Sequence, residues 1–562
     1  MNCHKKSYLK WGSLCLTLIL LLITVQSSQA QPVMLVKDID SGSGSSSPNN
    51  LVNVNGTLFF AAGPVVSGDD LWKSDGTASG TVMVKDIWPR RLTNVSGTLF
   101  FEANDGITGH ELWKSDGTAA GTILVKDIRP GPSGSALGWL TAVNGTLFFQ
   151  ANDGSHGNEL WKSDGTEVGT VLVKDIYPGV ANASFPSQLT NVNGTLFFVA
   201  TDGVTGKELW KSDGTTAGTV LVKDINPGPG GIAFSSLVNV NGALFFAAND
   251  GVNGTELWKS DGTAAGTVLV KDINPGTGNS SPSFMTDVNG TLFFAADDGT
   301  VGEELWISDG TADGTVLVKD INPGTLDSFP RELTDVAGTL FFRADDGSTG
   351  GELWKSDGTA NGTVLVKDII PGAAFALPQM LTDVNGTLFF EANDGTNGSE
   401  LWQSDGTTAG TMLVEDINPG GSGSSLDALT NVNGTLFFSA NDGTTGDELW
   451  AVQSPISVTL TPINPPIQIP ASGGQFQYTI TLTNRSGLTA TTQVWNMFTL
   501  PNGNPFGPTL GPVNPTLASG ESASRTFTQE IPGGAPSGQY TYAFNVGTFP
   551  NTIDDSDSFP FT

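Results

Sequence analysis

A tryptophan returns along this chain at an almost fixed interval. It stands at Trp72, Trp113, Trp161, Trp210, Trp258, Trp306, Trp354, Trp402 and Trp450, with spacings of 41, 48, 49 and then five of 48 residues. The same stretch of sequence surrounds each one. Its consensus reads ELWKSDGTAAGTVLVKDINPG, a variable stretch, LTNVNGTLFFAANDG, and ELW again. So regular a period describes one supersecondary unit that cannot bury its own apolar face and stacks on copies of itself.

Each unit holds four strand-like runs. In the copy around Trp258 they are Leu237 to Val240, Leu244 to Ala248, Glu256 to Lys259 and Val268 to Ile273. Asn241-Gly242 between the first two tolerates positive φ, as a type I′ hairpin requires. No run has helical periodicity. Leu244-Phe245-Phe246 and Val268-Leu269-Val270 are apolar at consecutive positions, so both faces of these strands are buried. Four-stranded sheets covered on both faces and repeated every 48 residues predict an all-β fold, a β-propeller.

The phase of the repeat predicts that the propeller closes. The Lys-Asp-Ile strand type occurs nine times, counting Glu415-Asp416-Ile417, and first at Lys37-Asp38-Ile39, ahead of any other element. The Leu-Trp strand also occurs nine times, but the connector Ser-Asp-Gly-Thr only eight. The last copy therefore lacks a fourth strand, and the N-terminus carries an orphan one. Pairing the two removes two sheet edges and gives about nine four-stranded blades.

The recurrent Glu-Leu-Trp-x-x-Asp-Gly-Thr resembles the bacterial extracellular ELWxxDGT repeat family, also labelled hyalin-like, over roughly residues 33–453. The first copy departs from it, with Asp69-Asp70-Leu71-Trp72. The resemblance implies secretion and a β-rich repeat fold. It brings no catalytic residues.

The flanks fit export. Residues 1–30 read as a signal peptide: Lys5, Lys6 and Lys10 precede an apolar run from Leu14 to Val25, and Ser28-Gln29-Ala30 offers small residues for cleavage. Both cysteines, Cys3 and Cys15, lie inside it, so the repeat array at 31–453 would hold together without disulfides. Residues 455–562 turn to short alternating strands such as Phe476 to Leu482 and predict an immunoglobulin-like β-sandwich. A net charge of −31 argues against nucleic acid or an anionic membrane as partner. No membrane insertion is expected once the signal is removed.

The expected function is that of a secreted or cell-surface binding or adhesion scaffold, with an extracellular glycan or protein as partner. The alternatives are a propeller enzyme acting on polysaccharide and a purely structural matrix component. Serine-hydrolase, zinc-protease and Walker motifs are all missing. The recurrent aspartates, Asp105 and Asp116 among them, precede glycine in turns. They read as turn caps, with weak Ca²⁺ binding as the alternative and no other cofactor expected. His110 and His156 occupy equivalent turns. The Leu-Trp tryptophans read as core, and the Lys-Asp pairs as structural, with each Asp reaching a backbone N–H of the neighbouring blade. One place departs from the repeat. Trp88, Arg90 and Arg91 follow Ile87 in a connection seven residues short, and Arg129 and Trp139 lie in the next. In so acidic a chain these five are the candidate ligand-binding residues, read as a patch for an anionic glycan, against repeat drift and a hydrophobic plug.

Overall fold

The computed structural model describes residues 33–562 apart from 65–67, 180–181, 230, 232–234, 453–455, 485–489, 519–520 and 549–551. The expected signal peptide and the junction at 454 lie outside the described residues. Every regular element described is a β-strand, and among the described residues no helix is long and apolar enough to cross a membrane.

Residues 33–452 form nine antiparallel four-stranded sheets. Sheet 1 comprises Asn49–Val54, Thr57–Ala62, Asp70–Ser74 and Val82–Lys85 in that spatial order. Sheets 2 to 8 repeat this order along the chain. Sheet 9 has Asp427–Val432, Thr435–Asn441 and Asp447–Val452, and its fourth strand is the N-terminal Val33–Lys37. Leu35 lies opposite Trp450 in that pairing.

The cores lie between sheets, which explains the consecutive apolar residues. Successive strand residues point to opposite faces. Phe59 and Leu71 of sheet 1 join Phe101 and Trp113 of sheet 2 in one cluster. Leu58 and Phe60 join Phe437 and Leu449 of sheet 9 in another. The first strands of successive sheets touch in series, and that of sheet 9 touches that of sheet 1.

Polar groups tie the stack as regularly. The Lys of each Lys-Asp pair reaches forward: Lys223 Nζ donates to Thr267 O at 2.7 Å and lies 5.5 Å from the Trp258 ring centroid, both on the next sheet. The Asp does not reach a neighbouring sheet, contrary to expectation. Asp272 Oδ2 accepts from Gly276 N at 3.3 Å, four residues on in its own connection. A strand-end carboxylate is closer to its own turn than to another sheet, whereas the four-carbon lysine stem spans the gap.

Residues 456–561 form a second all-β region. A three-stranded sheet (Ile456–Pro462, Gly473–Asn484, Ser522–Pro532) and a four-stranded one built on Gln493–Thr499 and Tyr540–Thr548 enclose a common core of Phe476, Tyr478, Tyr542 and Phe559.

Candidate functional site

Antiparallel order places four chain segments at one end of every sheet: the start of strand one, the end of strand two, the start of strand three and the connection leaving strand four. At this end the repeat varies. The second residue of the nine first strands is Asn50, Arg91, Trp139, Gln188, Ser236, Phe284, Glu332, Met380 and Ala428, with no residue type used twice. All nine hold a left-handed φ, between 26° and 59°. None is glycine or β-branched; the first would relieve the strain and the second would worsen it. A β-bulge lies at the same place in each sheet, as between Gly138 and Thr141, so two residues of strand one face one residue of strand two. A constant, strained backbone therefore presents a different side chain on each sheet, and such strain concentrates at ligand sites.

Charge and aromatic surface gather at the same end. Residues 33–452 contain five arginines: Arg90, Arg91, Arg129, Arg331 and Arg343. All five stand on first strands, on second-strand ends or in the connections. Among the described residues of the array, every exposed Trp or Phe lies there too: Trp88, Trp139, Phe185, Phe284, Phe329 and Phe375. The opposite end, with its Ser-Asp-Gly-Thr turns, is chemically uniform. In each turn the strand-three serine bonds the same threonine, as Ser260 Oγ does Thr267 Oγ1 at 2.7 Å.

The five residues singled out from sequence divide. Arg91 and Trp139 hold the same position on adjacent sheets, whose first strands touch. Arg90 lies opposite Glu102 on strand two, and Arg91 is ion-paired to that carboxylate. Glu102 is nearly inaccessible, and His110 Nδ1 lies 3.6 Å from its other oxygen. Burial holds His110 below the usual imidazole range, against the pull of Glu102. Trp88 instead packs its indole against Gly68, in the turn before strand three. At the equivalent Gly109 and Gly254 that place is taken by connection backbone, Pro132 to Gly134 and Gly278. Trp88 thus stands where the longer connections put backbone, with 48% of its surface still exposed. Arg129 stands beside Gly154 of the same turn on sheet 3.

Sequence reasoning missed a second cluster across sheets 6 and 7. The Arg331 guanidinium carbon lies 4.6 Å from the Phe284 centroid and 5.6 Å from that of Phe329. Its Nη2 donates to Glu303 Oε2 at 2.8 Å and its Nη1 to Pro330 O at 2.9 Å. Glu332 Oε2 accepts from Met380 N at 2.9 Å on sheet 8. The available signal was the column of nine unlike residues, which appears only when the copies are aligned position by position.

In the acidic turns one carboxylate oxygen is engaged by the turn itself. Asp105 Oδ1 accepts from Ile107 N and Thr108 N at 2.8 Å and from the Thr108 hydroxyl at 3.0 Å. Asp116 Oδ1 accepts from Thr118 N and its hydroxyl, which hold that carboxyl below its usual range. Among the described residues no three His, Cys, Asp or Glu side chains converge as a metal site. His156 bonds Asp153 at 2.8 Å within its own turn, and that bond raises its proton affinity.

No family model and no curated protein matches the chain. Among solved structures it is similar to a prolyl endopeptidase at 12% identity and TM-score 0.35, over 63% of this chain and 56% of that one. A Mycobacterium tuberculosis puromycin-hydrolyzing peptidase gives 10% identity and TM-score 0.34, over 74% and 60%. A CARDB domain from Pyrococcus furiosus gives 17% identity and TM-score 0.14, over 19% and 93%. The chain thus spans little more than half of either peptidase, and at these scores the likenesses decide nothing about its activity.

Proposed function

We propose that this chain is an exported binding scaffold: a closed ring of nine blades, of the ELWxxDGT repeat type, followed by an immunoglobulin-like sandwich. Closure is supported by the pairing of Val33–Lys37 with Asp447–Val452 and by the core that sheet 9 shares with sheet 1. The variable end is the binding surface and works outside the cell. One observation carries this reading: nine equivalent strained positions hold nine different residues in an otherwise near-identical array. A purely structural array gains nothing from such variation. The recurrent Glu of Glu-Leu-Trp, such as Glu256, is fully buried and bonded to Ile273 N at 2.7 Å and Ser280 Oγ at 2.6 Å, which supports a structural role for it over a catalytic one.

The test is an array of immobilised glycans and extracellular proteins probed with the chain lacking residues 1–30. Ligands held by the parent chain should lose about tenfold or more in affinity in the Trp139→Ala/Phe284→Ala variant, as expected for exposed aromatic anchors. They should be kept by Val168→Ala, which alters an exposed residue in a Ser-Asp-Gly-Thr turn at the opposite end. A parent chain that holds nothing, or a double variant that binds equally well, overturns the proposal.

A further inference from the structure

We infer that the ligand of the variable end is a neutral polysaccharide, stacked on rings that recur from sheet to sheet; this deepens the binding reading above and rests on it. The rings come first. Trp139 and Phe284 occupy the same strained position and are 50% and 42% exposed, and Phe329 is 50% exposed. Half-exposed rings facing solvent offer flat apolar faces to the C–H face of a sugar ring. Phe284 and Phe329 belong to neighbouring sheets and share the Arg331 guanidinium, while Trp139 holds the position of Phe284 three sheets away. Rings set at intervals along one end suit a ligand that is itself a repeat.

Planar polar groups stand at the same end: Asn50, Gln150, Gln188, Glu332 and Gln379 are all on first or second strands. Amides and carboxylates pair donor with acceptor and so match vicinal hydroxyls. A protein partner would instead look for an apolar centre depleted of charge. Here Phe284 and Phe329 flank the ion-paired Arg331.

Charge decides between neutral and acidic sugars. Arg91 is neutralised by Glu102, and Arg331 by Glu303 at 2.8 Å. Both guanidiniums are thereby fixed as hydrogen-bonding plates without net charge, and the chain as a whole carries −31. The geometry therefore weighs against the anionic-glycan reading at Arg91: its charge is already met by Glu102, and a polyanion would approach a strongly negative body.

Affinity electrophoresis and calorimetry with the chain lacking residues 1–30 test this, using amylose, soluble cellulose and galactomannan against alginate and polygalacturonate. At least one neutral polymer should bind with little dependence on salt. Phe284→Ala/Phe329→Ala and Trp139→Ala should each weaken it about tenfold. Phe329→Tyr should retain binding, because the ring remains. These residues are exposed, so melting should be unchanged in every variant. Retention by the polyanions alone, fading with salt, overturns the inference. So does binding to none of the five polymers. If array ligands are proteins and are lost in Trp139→Ala/Phe284→Ala, the ligand class fails while the binding surface stands. If neutral-polymer binding persists undiminished in both ring variants, the surface itself is wrong.

Discussion

Glu256 has no solvent contact, yet its side chain takes part in three hydrogen bonds. Its carboxylate accepts from Ile273 N, from Ser280 N at 2.9 Å and from the Ser280 hydroxyl, so it ties strand three to the connection that leaves strand four. Glu159, Glu304 and Glu448 repeat the arrangement with Ile176, Ile321 and Ile39. The Glu of Glu-Leu-Trp is thus the staple of the variable end, holding its connection in place for whatever side chains the loop carries. Glu256→Ala should leave these N–H groups buried and unbonded, at about 1–3 kcal/mol in a denaturant melt. Glu256→Gln keeps an acceptor and should cost less. Equal destabilisation by the two substitutions would mean that volume, not bonding, explains the conservation of this Glu among the copies.

The seam tests the element scale. In the other sheets the fourth strand follows the third in sequence; only Val33–Lys37 arrives from the far end of the chain. The repeat changes where this happens. The lysine that reaches the next sheet elsewhere is Glu415 on sheet 8, which accepts from the Val33 backbone N–H; burial raises its proton affinity and that bond opposes the rise. A lysine donor can serve a backbone carbonyl, but at the seam the available group is an N–H, and an acceptor must face it. Deleting residues 33–37 should leave Asp447–Val452 as an unpaired edge next to the sheet 1 core. Hydrogen exchange should then show Thr435–Val452 losing protection ahead of sheets 3 to 6, with a lower melting temperature. Uniform protection across the array after the deletion would contradict the closed ring.

At the scale of the whole molecule, the two carboxylate populations set a pH optimum. Burial pushes Glu111, Glu208, Glu304, Glu352 and Glu400 up from 4.5 to about 7, the bonds from their Ile neighbours opposing it. Burial and the Asp86 charge raise Asp70 to about 6. The folded chain therefore holds more protons than the unfolded one between those values. Stability from these groups is full below 4.5 and is lost as pH rises through about 7. The turn aspartates run the other way. Bonds from Thr118 lower Asp116, so its contribution is present above 3.8 and lost as pH falls through the lowered value. Melting temperature should peak in mildly acidic buffer and decline from about pH 5 to about pH 8. Replacing the five glutamates by Gln should flatten that decline, and a melting temperature that rises steadily to pH 8 would rule this account out.

The residues alone determined the repeated unit. Consecutive apolar runs such as Leu58-Phe59-Phe60 force a strand buried on both faces, and Asn55-Gly56, with φ of 52° and 83°, forms the hairpin its composition demands. The count of strand types also paired the N-terminal strand with Asp447–Val452. These are local or periodic signals, and repetition amplifies them. The candidate site was legible only in part. Arg91 and Trp139 stood out by composition, as did Trp88, whose indole the structure sets beside Gly68 where other sheets have connection backbone. Phe284, Phe329, Arg331 and Glu303 lie up to 47 residues apart on two sheets and carry no shared motif. Only the tertiary structure brought them together, because stacking sheets sets the first strand of one against the first strand of the next. The strained φ that every member of the variable column shares is likewise a property of the bulge, which strand pairing creates and no single residue encodes.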